Sequence, residues 1–196
     1  MSESPARPPR TGREILDFVV AGCAIVISLV SLWVAVRAND TQEQLLRSSV
    51  WPYVIYDSSD STENGGQHIL LELRNAGVGP AIVRSFAVSY KGRNYATLRE
   101  LMAACCKIEP KGVLASTVRD SVIMAHDTIQ FITVLPDKID ATSYDRILAS
   151  RFDINVQMCY CSVLGDCWFF DTAKKGQETP EEVRRCPPAR QPQYIT

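Results

Sequence analysis

An uncharged apolar stretch near the N-terminus constrains this chain more than any other feature. From Phe18 to Val36 the sequence reads FVVAGCAIVISLVSLWVAV, with no charged residue and no proline. A helix rises about 1.5 Å per residue, so this stretch matches the roughly 30 Å hydrocarbon core of a bilayer. A buried core helix would normally keep a polar face, whereas Trp33 lies where an indole reaches the membrane interface. The sequence therefore predicts a transmembrane helix over residues 15–37, with the lipid bilayer as its partner.

Basic residues around this helix predict its orientation. Arg7, Arg10 and Arg13 precede the apolar stretch, whereas Arg37 and Arg47 follow it. Because basic residues are enriched on the cytoplasmic side of membrane helices, the N-terminus is expected in the cytoplasm. We expect residues 1–14, which are rich in Pro, Ser and Arg, to form a disordered cytoplasmic tail.

A cleaved signal peptide is the alternative to an uncleaved anchor. The tripeptide Val36-Arg37-Ala38 has small residues at the positions that a signal peptidase reads. The apolar stretch, however, is longer than the roughly 7–15 residues of a typical signal-peptide core. This length favours a single-pass signal anchor.

Six of the seven cysteines lie beyond the apolar stretch, and Cys23 lies within it as a small apolar residue. An even number of cysteines on one side of the helix is typical of an oxidising compartment, where disulfides persist. We therefore expect disulfides among them, in one of the many pairings that six cysteines allow. These disulfide candidates are Cys105, Cys106, Cys159, Cys161, Cys167 and Cys186.

A zinc site and a redox-active thiol are the alternative interpretations of these cysteines. Structural zinc prefers two cysteines separated by two to four residues, whereas Cys105 and Cys106 are adjacent and Cys159 is one residue from Cys161. The chain also lacks a Cys-x-x-Cys motif, which usually supplies an activated thiolate. The spacing favours disulfides, and we expect no metal and no cofactor.

The chain length of 196 residues and the balanced charge limit the remaining possibilities. The length suits one domain with its own core beside the membrane segment. Lys and Arg number 21 against 22 Asp and Glu, so no excess positive charge favours a nucleic-acid partner. We assign residues 38–49 to a juxtamembrane stalk helix, 50–172 to an extracytoplasmic β-rich domain, and 173–196 to a Pro-rich C-terminal tail.

Alternating apolar and polar residues predict β-strands throughout the domain. The segment VWPYVIY, residues 50–56, is β-branched and aromatic, and Pro52 indicates an edge or first strand. The other predicted strands are 69–74, 81–90, an irregular strand over 113–123, 128–135 and 151–163. Leu164-Gly165-Asp166 predicts a hairpin turn that returns through CWFFD, residues 167–171, and brings Cys167 close to Cys161 or Cys159.

The predicted strand over 69–74 is followed by a turn formed by Asn75, Gly77, Gly79 and Pro80. The glycines would permit positive φ angles, and Pro80 would end the strand pairing. A phosphate-binding loop is the alternative, but no helix and no Lys-Ser/Thr pair follow the glycines.

Two short helices and a polar turn complete the predicted elements. Residues 95–106 predict a helix capped by Asn94, with an apolar stripe that includes Leu98 and Leu101. A second helix is expected over 142–149. His126-Asp127 could form an acid–base or metal pair, but neither residue has an obvious partner, so a polar turn is favoured.

Two motifs in the domain resemble known sequences. The strand and turn LELRNAGVGPA, residues 71–81, and the hairpin YCSVLGDCW, residues 160–168, follow a membrane helix and a VWPY strand. Together they resemble uncharacterised bacterial single-pass membrane-anchored proteins with a small β-sandwich-like outer domain. The resemblance implies a bacterial inner-membrane protein with its C-terminal domain in the periplasm. It implies no activity, because it carries over no catalytic residues.

The predicted fold class is mainly β (α+β), with one N-terminal transmembrane helix, then a small immunoglobulin-like β-sandwich with one or two short helices. The predicted function is a membrane-anchored extracytoplasmic binding or interaction domain, and an envelope protein is the candidate partner. Such a domain would present an exposed apolar or aromatic patch. Trp51, Tyr53 and Trp168 form the candidate interaction surface, although both tryptophans could equally belong to the core.

Two other functions compete with an interaction domain. An envelope hydrolase or thiol redox enzyme would need a nucleophile with its base, or a metal set. The sequence contains no Gly-x-Ser-x-Gly, His-Glu-x-x-His or Cys-x-x-Cys motif, so we expect no enzyme. A cytoplasm-facing membrane-tethered sensor is the third interpretation, and it would carry reduced cysteines.

Overall fold

A computed structural model of the chain describes residues 12–60 and 67–195. The chain divides into two compact units, residues 1–46 and residues 47–196. Most of the predicted cytoplasmic tail, residues 1–11, lies outside the described residues.

The first unit consists of one long helix, α1, which spans Gly12–Ser49 and so extends over the boundary between the units. It covers both the predicted membrane segment and the predicted stalk. Every side chain from Phe18 to Val36 is exposed. Within the described residues, α1 is the helix that is long and apolar enough to cross a membrane.

The second unit contains two antiparallel β-sheets that share one core. The strands are β1 Val54–Ser59, β2 Ile69–Asn75, β3 Ala81–Tyr90, β4 Arg93–Tyr95, β5 Val113–Ala115, β6 Val122–Ile123, β7 Thr128–Val134, β8 Ile154–Cys161, β9 Cys167–Asp171 and β10 Glu181–Val183. The first sheet has the strand order β1-β2-β7-β5, and the second has the order β10-β9-β8-β3-β4, with β6 paired to the start of β3. With the two short helices below, this arrangement confirms the predicted mainly β, α+β class.

Side-chain alternation explains how the sheets pack. In β2, Ile69, Leu71 and Leu73 are buried on one face, while Arg74 on the other face is exposed. Between the sheets, Phe86 of β3 meets Phe131 of β7 edge to face, with ring centroids 5.2 Å apart. The strand predicted over residues 50–56 lies at the edge of its sheet as β1, but it spans Val54–Ser59, so Pro52 precedes it.

The first short helix, α2, begins later than predicted, and its cap is different. It spans Leu98–Cys106, and the Thr97 hydroxyl accepts a hydrogen bond from the Glu100 N–H. The Glu100 carboxylate accepts one from the Ala96 N–H in return. This pair of bonds is a variant of the capping box, because Glu100 reaches the N–H of Ala96 rather than that of the N-cap Thr97, and it satisfies two backbone donors. Asn94, the predicted cap, belongs instead to strand β4.

The second short helix, α3, spans Ala141–Ser150 and has Asp140 as its N-cap. The Asp140 carboxylate accepts a hydrogen bond from the Ser143 N–H at 3.0 Å. Hydrogen bonds from Ser143 hold the pKa of Asp140 below its usual value, because they stabilise the ionised carboxylate.

Two other predicted strands differ from the structure. The irregular strand over 113–123 is two short strands, β5 in the first sheet and β6 in the second. The chain crosses between the sheets through a turn at Asp120, whose φ is 61°. The strand predicted from Arg151 begins at Ile154, because residues 151–153 form a 3₁₀ turn and Arg151 is buried with an ion pair to Asp60.

The C-terminal segment, predicted as a Pro-rich tail that only Cys186 would attach to the domain, packs against the second unit at several points. Strand β10 pairs with β9, and Tyr194 is only 2% exposed. The Tyr194 ring meets Phe86 edge to face, and its backbone N–H donates to the Phe86 carbonyl. Burial of this aromatic ring and a cross-link at Cys186 outweigh the weak local preference of the segment for regular structure.

Candidate functional site

The predicted turn after β2 is organised by the side chain of Asn75, which is fully buried. Its amide oxygen accepts hydrogen bonds from the backbone N–H groups of Tyr53 and Gly77, at 3.1 and 3.0 Å. Its amide nitrogen donates to the carbonyls of Gly79 and Ile123, at 2.8 and 3.1 Å. These four bonds use the full capacity of a primary amide. Asn75 therefore joins the turn to the segment before β1 and to β6.

Gly77 and Gly79 are required here for a different reason than the sequence predicted. Neither glycine has a positive φ, so that expectation was wrong. Both instead lie directly against the backbone of residues 50–53. A Cβ at Gly77 would lie 2.5 Å from the Trp51 carbonyl oxygen, and one at Gly79 would lie 2.6 Å from Val50 Cα. Pro80 immediately precedes β3, which is consistent with its predicted role at the end of the turn.

Several other loops lie at the same end of the second unit. The backbone of Asn75 bonds with the next turn, since the His126 N–H donates to the Asn75 carbonyl and the Asn75 N–H donates to Asp127. His126 and Asp127 therefore form a turn, as predicted. Ile82 of β3 pairs with both Val122 of β6 and Cys161 of β8, which places the hairpin over 162–166 beside them.

Six exposed apolar side chains lie in these converging segments, and we call them the apolar end. Each is between 42% and 57% exposed. Among the described residues of the second unit, only Leu114, Phe152 and Ile195 are other large apolar side chains with comparable or greater exposure. The members of the apolar end are Trp51, Val78, Val122, Met124, Val163 and Leu164.

Hydrogen bonds and an ion pair hold this end in place. The backbone N–H groups of Val78 and Gly79 both donate to the Trp51 carbonyl, at 2.9 and 3.2 Å. Within the hairpin, the Ser162 N–H donates to the Asp166 carbonyl, and the Asp166 carboxylate pairs with Arg47. The apolar side chains therefore stand on loops whose backbone positions are defined.

The predicted interaction surface is only partly exposed. Trp51 is 43% exposed, and its ring lies 5.3 Å from that of the half-buried Tyr53. Trp168, by contrast, is only 8% exposed and stacks on Tyr160, with ring centroids 5.9 Å apart. Its assignment to the interaction surface is therefore corrected, because Trp168 lies on the core side of β9. The Tyr160 hydroxyl accepts a hydrogen bond from the Val54 N–H, and burial raises the pKa of that phenol.

Sequence reasoning missed five of the six members of the apolar end. They stand in turns or short strands where no periodic pattern marks them. The available signal was an apolar side chain inside an otherwise turn-forming segment, such as Val78 between two glycines or Leu164 before Gly165. Such a position buries no apolar surface within its own turn, so it is a candidate for contact with something else.

All six disulfide candidates are bonded in the structure. Cys161 pairs with Cys167, directly opposite it in the β8–β9 register, so the predicted proximity of Cys167 is resolved in favour of Cys161. Cys159 pairs with Cys186, and the adjacent Cys105 and Cys106 pair with each other at the end of α2. Cys23 is an exposed free cysteine in α1.

Comparison with models of known protein families, with curated proteins and with solved structures finds no match. The resemblance to membrane-anchored bacterial proteins therefore stays a prediction from the two motifs.

Proposed function

We propose that this protein is a membrane-anchored interaction module. In this proposal α1 spans the inner membrane of a bacterium, with its N-terminus in the cytoplasm and the second unit in the periplasm. The apolar end is the surface through which the second unit contacts another protein of the envelope. The observation that carries the proposal is the convergence of six exposed apolar side chains at one end of the unit.

The surface of α1 supports anchoring in a bilayer. From Phe18 to Val36 every side chain is exposed and none is charged. A helix satisfies its own backbone hydrogen bonds, so lipid is a suitable environment for such a surface, whereas water is not. The disulfides of the second unit support the periplasmic side, because disulfides persist in oxidising compartments and are rare in the cytoplasm.

The exposed apolar side chains and the ordered loops of the apolar end are suited to a contact surface. Contiguous exposed apolar surface on a folded unit marks sites of interaction, whereas single exposed side chains are common everywhere. Since Asn75 ties the turn to two neighbouring segments, the loops need little ordering when a partner binds. A surface that is already ordered loses less entropy on binding.

Membrane anchoring is tested with arginine substitutions in α1. We expect the wild-type chain to stay in the membrane pellet after alkaline extraction, and the double variant Val26→Arg, Ile27→Arg to be extracted. Each arginine at the helix centre costs about 2.5–3.5 kcal/mol of insertion free energy. Gln42→Arg, in the polar part of α1, is the matched control and should stay in the pellet.

Protease added to spheroplasts should digest the second unit of the wild-type protein. Extraction of the wild type, or protection of the second unit in intact spheroplasts, would contradict the proposal.

Contact through the apolar end is tested by photo-cross-linking in cells. A photoreactive phenylalanine analogue at Met124 should yield a discrete cross-linked band, whereas the same analogue at Leu114, which is equally exposed on β5, should not. Adding Val78→Glu should remove the band from Met124 because a charge at the contact must lose its hydration. An identical band from Leu114, or no band from Met124, Val78 and Val163, would exclude the apolar end as the contact.

A further inference from the structure

The sulfur atoms of two disulfides lie in one cluster on the second sheet. Cys159 and Cys161 share one face of β8, and Cys167 stands opposite Cys161 on β9. The C-terminal segment brings Cys186 over this face, where it bonds to Cys159. The Sγ atoms of Cys161, Cys167 and Cys186 all lie within 4.8 Å of one another.

Between the two disulfides, Cys161 Sγ lies 3.9 Å from Cys186 Sγ. A bonded pair of sulfurs is separated by about 2.05 Å, so a shift of roughly 2 Å would join these two atoms. The side chains can supply such a shift by rotation about their own bonds. Thiol–disulfide exchange requires this arrangement, in which a thiolate reaches a disulfide sulfur without unfolding of the chain.

We propose that the two disulfides are coupled by exchange, with Cys161 and Cys186 as the sulfurs between which the bond passes. Reduction of the Cys159–Cys186 bond by an external dithiol adds two electrons and two protons, and the dithiol becomes a disulfide. The Cys186 thiolate then attacks Cys161 Sγ, the Cys161–Cys167 bond breaks, and its electron pair leaves on Cys167 Sγ. Cys167 takes up the proton that Cys186 lost. The product carries a Cys161–Cys186 bond, with Cys159 and Cys167 as thiols.

Burial determines where the external dithiol acts. Cys159, Cys161 and Cys167 are buried, whereas Cys186 is half-buried and follows the exposed Arg184 and Arg185. Within the cluster, an external thiolate therefore meets Cys186 first, and the two arginines favour its approach.

Exchange would keep the C-terminal segment attached after the loss of one disulfide. In the oxidised protein Cys159 tethers Cys186, and in the two-electron-reduced product Cys161 takes over that role. Strand β10 and Tyr194 then stay close to their positions on the sheet. The segment is released only when both disulfides are reduced. This coupling needs neither a bilayer nor a partner, so it does not depend on the proposed function.

The test maps the disulfides of two variants of the full-length protein in detergent. Cys159→Ser leaves Cys186 without its partner, and Cys167→Ser leaves Cys161 without its partner. After equilibration at pH 8, acid quenching, alkylation and peptide mass spectrometry, both variants should contain a Cys161–Cys186 bond. We expect this bond in at least about one molecule in ten, so that its population lies within about tenfold of the population of the competing disulfide. The double variant Cys105→Ser, Cys106→Ser frees no thiol in the cluster and should contain none.

The wild-type protein provides a second measurement in case either variant fails to fold. One equivalent of dithiothreitol should yield a two-electron-reduced species with the Cys161–Cys186 bond. Free thiols that stay only at Cys186 in Cys159→Ser and only at Cys161 in Cys167→Ser would overturn the proposal. The proposal would also be overturned if the two-electron-reduced wild-type protein contained a Cys159–Cys186 or a Cys161–Cys167 bond, in any proportion, but no Cys161–Cys186 bond.

Discussion

Asn75→Ala is expected to remove a large part of the stability of the second unit. The substitution removes four hydrogen bonds, to the N–H groups of Tyr53 and Gly77 and to the carbonyls of Gly79 and Ile123, and all of these residues except the half-buried Tyr53 are buried. Each buried group that loses its partner costs about 1–3 kcal/mol, so the total loss should be about 4 kcal/mol or more. Stabilities of folded domains are commonly about 5–15 kcal/mol.

The measurement is thermal unfolding of the full-length protein in detergent, followed by near-ultraviolet circular dichroism. For a unit of this size, a loss of about 4 kcal/mol lowers the melting temperature by roughly 10 °C. Asn155→Ala is the matched control, because Asn155 is half-buried and, within residues 12–60 and 67–195, its amide bonds to Asp153 and Thr172. Its melting temperature should fall by a few degrees at most. Equal effects of the two substitutions would show that the Asn75 amide does not organise the turn.

Asn75→Asp separates hydrogen bonding from side-chain size. Aspartate has nearly the same shape and can still accept from Tyr53 and Gly77, but it cannot donate to Gly79 and Ile123 when ionised. It also places a charge where the side chain is fully buried. We therefore expect Asn75→Asp to destabilise the unit at pH 7 at least as much as Asn75→Ala does. A melting temperature equal to that of the wild type would contradict this account.

Gly79→Ala is expected to disrupt the apolar end through a backbone collision. Its Cβ would lie 2.6 Å from Val50 Cα, and the nearest atoms are all backbone, which cannot rotate away. The turn and residues 50–53 would have to separate, and the two hydrogen bonds to the Trp51 carbonyl would be lost. Overpacking of this kind commonly costs about 1–3 kcal/mol and more where the backbone must move, so we expect about 3 kcal/mol or more.

Gly176→Ala is the control for the effect of backbone conformation alone. Gly176 has a φ of 84°, but nothing lies within 4 Å of the position that its Cβ would take. Its substitution should cost only the roughly 1–2 kcal/mol of a left-handed non-glycine residue. Thermal melting of both variants, with the Met124 cross-link as a second readout, checks the difference. If Gly176→Ala were the more destabilising substitution, close approach would not be the reason for Gly79.

Local patterns in the sequence predicted those elements whose stability depends on near neighbours. The alternation of Ile69, Leu71 and Leu73 defines a strand with one buried face whatever sheet it joins. The hairpin that opposes Cys161 and Cys167 spans few residues, so its turn largely sets the pairing. Helix α2 shows a local signal that was overlooked, since Thr97 and Glu100 stand at capping-box spacing.

Contacts between distant segments account for the differences. The residues around Trp168 do not show which face of β9 meets the core, and only its packing on Tyr160 shows that Trp168 belongs to the core. The sequence around Gly77 and Gly79 suggested positive φ angles. The close backbone that actually requires glycine belongs to residues 50–53, which are distant in the sequence. Likewise, the composition of residues 173–196 concealed Tyr194, whose pocket is completed by Phe86.

The sequence by itself determined the long apolar helix, the mainly β class of the unit that follows it, and the presence of cysteines suited to disulfides. These features follow from composition and from periodicity within short windows. Only the tertiary structure decided which loops converge around Asn75, which aromatic side chains are exposed, and which sulfur bonds to Cys186. The physical reason is that exposure and proximity depend on segments far apart in the chain, and no local pattern records how those segments pack together.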